Sequence, residues 1–113
     1  MQDAILQQVK ATVRQIDPQA EVILFGSRAR GDARRGDARR GDARPDSDWD
    51  FLVLTSYPLN SKNRYLIVDA VFEQVELVVE EVITLIMHEK AEWYDKYSVT
   101  PLFQCIREDG ITV

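Results

Sequence analysis

"AEVILFGSRARGDARRGDARRGDARPDSDWDFLVLT", residues 20–55, holds two apolar runs separated by an arginine-rich stutter. The first run stops at Gly26-Ser27. The second begins inside the acidic cluster "DSDWD" and continues to Leu54. Short apolar runs bounded by turn-forming residues read as buried strands. Between them the unit Gly-Asp-Ala-Arg occurs three times in tandem, starting at Gly31, Gly36 and Gly41. Either the stutter is the working part of the molecule or it interrupts something its flanks define.

The flanks carry chemistry of two kinds. A glycine that ends a strand before a helical turn leaves backbone N–H groups open to an anion, because no side chain blocks the approach. In "DWD", strand alternation sends Asp48 and Asp50 to one face and Trp49 to the other, toward the core. Neighbouring carboxylates repel unless a cation lies between them, and Mg²⁺ is typically held by one or two carboxylates plus phosphate oxygens. Each half alone is a weak signal, since most Gly-Ser pairs are turns. An isolated Asp-x-Asp is more often a solvated strand end.

Outward from these strands the chain reads as one small α/β domain of 113 residues, 1–113, with 45% apolar content. Ile5, Leu6, Val9, Val13 and Ile16 fall on one helical face, and Pro18 ends that helix. After the loop "YPLNSKN", Ile67, Val68, Val71, Phe72, Val75, Val78 and Val79 predict a helix from Asn60 to about Glu80, followed by a strand over 82–88. A rival reading makes "VELVV", 75–79, the third strand; the longer helical pattern is preferred. Thr100 and Pro101 start a last helix through about Glu108, and "ITV" returns as a short strand. The expected architecture is a short mixed sheet flanked by helices, with a pentapeptide-repeat insert, 31–45, between the first two strands.

The net charge of −5 conceals an asymmetry: residues 28–44 carry seven Arg and three Asp, which leaves −9 for the remainder. An acidic body argues against a broad nucleic-acid-binding surface. No apolar run approaches the roughly 20 residues that span a bilayer, and no signal-peptide pattern is visible. The default expectation is therefore a cytoplasmic protein without membrane attachment. Cys105, the single cysteine, reads as a small core residue between Phe103 and Ile106. His88, alone at a strand end, reads as structural.

Twenty residues separate Ser27 from Asp48, and removing two pentads would leave ten. Gly-Ser, ten residues, Asp-x-Asp is the signature of the DNA polymerase β-like nucleotidyltransferase superfamily. The chain as a whole resembles its smallest members, the minimal nucleotidyltransferases, through the leading helix, "ILFGSRARG", "SDWDFLV" and "TPLFQCIREDGI". On this reading the stutter is an interruption. Lengthening a loop costs only about 0.6 kcal/mol per doubling, so the fold should survive it.

The resemblance implies transfer of a nucleoside monophosphate from a nucleoside triphosphate, with ATP expected, to an acceptor. It maps triphosphate binding onto Gly26 and Ser27 and divalent metal binding (Mg²⁺ or Mn²⁺) onto Asp48 and Asp50, with Arg30 in reach of phosphate from the first helical turn. Members usually add a third carboxylate from the third strand. Here that strand offers Ile83, Thr84 and Leu85, whereas in the rival assignment Glu76 would take the role. Members of this size are often encoded with a helical HEPN partner and act as its antitoxin, some by attaching AMP. The alternative is a catalytically weak or inactive nucleotide-binding module that neutralises the partner by contact. A homo-oligomer is compatible with either.

Overall fold

The computed structural model describes residues 2–30 and 48–113. The repeats, 31–45, lie outside the described residues, as does the side chain of Arg30. Among the described residues, eleven elements in chain order begin with helix α1 (Gln2–Ile16), strand β1 (Glu21–Phe25), the single turn α2 (Ser27–Arg30) and strand β2 (Trp49–Thr55). Helix α3 (Ser61–Val71) runs through a π-helical turn (Phe72–Glu76) into the short α4 (Leu77–Val79). Strand β3 (Ile83–Glu89), helices α5 (Lys90–Asp95) and α6 (Pro101–Asp109), and strand β4 (Ile111–Thr112) complete the chain.

The sheet has the order β3-β2-β1-β4 and is mixed. β1 pairs antiparallel with β2 and β4, whereas β2 and β3 run parallel. A parallel pair needs a crossover, and α3 to α4 provides it. Seven apolar positions at helical spacing therefore outweigh the strand-like run "VELVV". Residues 75–79 are helical, so Glu76 lies in the π-helical turn and not on a strand beside the acidic pair.

Alternation in the strands builds two cores. Val22, Leu24, Trp49, Phe51, Val53, Ile83 and Met87 pack with Val9 and Val13 of α1 and with Ile67, Val71 and Val75 of the crossover helix. Ile23, Leu52 and Leu54 point to the other face and meet Trp93 of α5 and Phe103 and Ile106 of α6. The sheet is thus covered by helices on both faces, the arrangement that explains the nearly unbroken burial of β2. The outer side of the crossover helix leaves Tyr65, Phe72, Leu77 and Val78 exposed.

Local chemistry sets the element ends. Asn60 and Asn63 form a reciprocal capping box at α3. The Thr100 hydroxyl accepts from the Phe103 N–H, and Pro101 occupies the first turn of α6. Buried Asp17 accepts from both the backbone N–H and the hydroxyl of Ser56, at 2.8 and 2.7 Å, and so ties the turn before β1 to the end of β2. Burial, reinforced by the Asp17 charge, raises the pKa of the neighbouring Tyr57 phenol.

One expectation needs correction. Cys105 is exposed. Chain neighbours on a helix diverge by about 100°, so Phe103 and Ile106 reach the core while the residue between them does not. Helix α5 was not anticipated: with Trp93 as its one buried residue, six residues show no periodicity.

Candidate functional site

The site begins where β1 ends. Gly26 has φ +81°, in the region that favours glycine, and its carbonyl accepts from the Ala29 N–H at 3.1 Å as α2 opens at Ser27. β2 lies alongside, with Asp50 opposite Phe25. This register brings Asp50 against the glycine: a Cβ built on Gly26 would lie 2.6 Å from Asp50 Oδ2. The strand-ending turn and the second acid of "DWD", 24 positions apart in the sequence, are thus in contact.

Asp48 immediately precedes β2 and is exposed. Its Oδ2 accepts from the Thr84 hydroxyl at 3.3 Å. Thr84 is the β3 residue paired with Asp50, so all three belong to one end of the sheet. Trp49 lies between the two acids in the chain and is 2% exposed on the opposite side, as alternation predicts. Ser27 stands beside Gly26 at the start of α2.

The oxygen donors gathered here are of the hard type that suits Mg²⁺ or Mn²⁺. Among the described residues no group of three His, Cys, Asp or Glu side chains could hold a metal ion. A divalent cation at Asp48 and Asp50 would take its other ligands from phosphate and water, as Mg²⁺ commonly does. His88 is not part of this arrangement. It stacks against Trp93 and Tyr97, with ring centroids 5.3 and 4.4 Å away.

Three residues near the site were not singled out from the sequence. Thr84 was visible only as a non-acid, because its contact with Asp48 depends on the β2–β3 register. Arg28 and Glu81 lie 53 positions apart and form an ion pair at 3.5 Å behind Trp49. No spacing rule connects them.

Residues 6–38 match the family model of the nucleotidyltransferase domain. The match takes in most of α1, all of β1, the Gly26-Ser27 turn and α2, and it ends before Asp48. It supports the nucleotidyltransferase superfamily and nucleotidyl transfer as the general class of activity. Domains of this family generally use a nucleoside triphosphate and a divalent metal. The mixed four-stranded sheet flanked by helices fits such a fold. No curated protein matches the chain. Among the described residues no helix is long and apolar enough to cross a membrane.

Proposed function

We propose that Gly26, Ser27, Asp48 and Asp50 form a metal-dependent nucleoside triphosphate site that transfers a nucleoside monophosphate, with ATP as the expected donor. The observation that carries this reading is the contact between Gly26 and the Asp50 carboxylate. It joins a turn suited to phosphate with an acid suited to a cation.

In this reading the missing side chain of Gly26 lets the Asp50 carboxylate lie against the turn, and N–H groups at the start of α2 bind the phosphate oxygens together with the Ser27 hydroxyl. Arg30 would add positive charge near the phosphates. Asp48 and Asp50 would hold Mg²⁺ or Mn²⁺, with the Thr84 hydroxyl donating to Asp48 Oδ2. A metal held there would supply positive charge to offset the triphosphate and to favour deprotonation of the acceptor hydroxyl. An acceptor oxygen forms a bond to the α-phosphorus, the bond to the bridging oxygen breaks, pyrophosphate leaves, and the hydroxyl proton passes to water.

The acceptor we propose is a partner protein of the helical HEPN type, neutralised as in a toxin–antitoxin pair. Such a partner would also cover the apolar side chains left exposed on the crossover helix. A second reading, a weak or inactive binding module that neutralises its partner by contact, is favoured by one observation. The β3 position beside Asp50 is a threonine where a third carboxylate would complete the metal site. Incubation of the chain with labelled nucleoside triphosphates, Mg²⁺ and candidate partners separates the readings. Label transferred to a partner supports catalysis; partner binding without label supports the module.

A further inference from the structure

We infer that Arg28, Trp49 and Glu81 form a brace that positions the phosphate turn against the metal acids. This inference rests on the site reading proposed above. The Trp49 Nε1–H donates to Glu81 Oε1 at 3.1 Å. Arg28 Nη2 lies 3.5 Å from the same oxygen, and its guanidinium carbon sits 4.3 Å from the centroid of the indole ring. One carboxylate oxygen therefore joins an indole donor to a cation that also lies over the indole face.

The three groups come from two elements and one connecting segment that meet near the site. Arg28 follows Ser27 in α2, Trp49 separates Asp48 from Asp50, and Glu81 precedes β3. Trp49 is fully packed, so its N–H needs an acceptor within the protein. Trp49 points away from the acids, so its side of the brace works from the opposite face of the sheet.

The backbone supplies a second, independent observation. Glu80 adopts φ 59°, ψ 40°, a left-handed conformation that residues other than glycine seldom occupy. Such strain persists where its surroundings fix it. Here it turns the chain out of α4 so that the Val82 carbonyl accepts from the Trp49 backbone N–H at 2.9 Å while Glu81 reaches the indole. Residues 81–82 thus hold Trp49 at both backbone and side chain, and through it the spacing of Asp48 and Asp50 from Gly26.

The test is a cycle on the full chain with Arg28→Leu, Glu81→Leu, the double variant and Glu81→Gln. MgATP affinity is measured by calorimetry and stability by denaturant melting. Each leucine variant is expected to weaken binding about tenfold, the scale of coupling within one network. The double variant should be no weaker than either single one. Glu81→Gln keeps an acceptor for the indole and should restore most of the affinity. Lower stability with unchanged affinity would overturn the positioning role. So would tighter binding in Glu81→Leu with loss in Arg28→Leu, which would mean that Arg28 meets the nucleotide itself. If the parent fails to bind MgATP, the site reading falls and the brace is judged on nuclear magnetic resonance. Shifts of the Gly26 amide and Asp50 carboxylate in Glu81→Leu then support it, and unchanged resonances refute it.

Discussion

Asp50 Oδ2 lies 2.6 Å from the position a Cβ would take on Gly26, so the carboxylate occupies the space that a side chain would fill. Gly26 also holds φ +81°, which strains any other residue. Gly26→Ala should therefore lower stability by about 1–3 kcal/mol and push Asp50 from its place. Urea melting and calorimetric titration with MgATP check both effects. A variant as stable as the parent, with equal affinity, would show that the contact has no role.

Thr84→Asp should add a third carboxylate beside Asp48 and Asp50. Three acids at one sheet end repel without a cation, so the metal-free variant should be less stable than the parent. Divalent cations should reverse the loss, and Mn²⁺ should bind more tightly than to the parent. Melting temperatures with and without Mn²⁺ measure this. Equal responses of variant and parent would place residue 84 outside the metal's reach.

His88 gives the fold a pH dependence of known sign. Burial lowers its pKa, with the Arg64 charge acting in the same direction and Glu92 opposing. Well above the ordinary value of about 6.5 the imidazole is neutral in both folded and unfolded chains, and contributes nothing. As pH falls below that value the unfolded chain takes up the proton first, so stability declines through the lowered folded pKa and then levels off. Denaturant midpoints between pH 8 and 5 should show a shallower slope for His88→Gln than for the parent.

Removal of residues 31–40 leaves ten residues between Ser27 and Asp48. Both ends of this connection are anchored by paired strands, and shortening a loop changes its closure cost by about 0.6 kcal/mol per halving. The shortened chain should match the parent in stability and bind MgATP at least as well. Substantial destabilisation on denaturant melting would mean that the repeats belong to the fold.

Much of the architecture was legible in the sequence because it rests on periodicity. The stripe from Ile5 to Ile16 and the buried positions Ile67, Val71 and Val75 keep a helical period, whereas the short run "EVILF" reads as a strand from its length and the Gly26 that ends it. The opposite orientation of Trp49 and Asp50 follows from alternation alone. Cys105 was misread because adjacency in sequence does not mean a shared helical face. The contacts of Thr84 with Asp48, and of Glu81 with Trp49 and Arg28, depend on strand register and on the left-handed turn at Glu80. Neither leaves a mark in residue type or spacing.

The central claim is that Asp48 and Asp50 hold a divalent metal beside a triphosphate turn. Its most direct test is calorimetric titration of ATP, with and without Mg²⁺, into the parent chain and into the double variant Asp48→Asn, Asp50→Asn. Removing two like charges relieves repulsion, so the double variant should melt no lower than the parent. The parent should bind ATP in a Mg²⁺-dependent manner, and the double variant should have lost that binding. Equal Mg²⁺-dependent affinity in the two proteins would contradict the metal site.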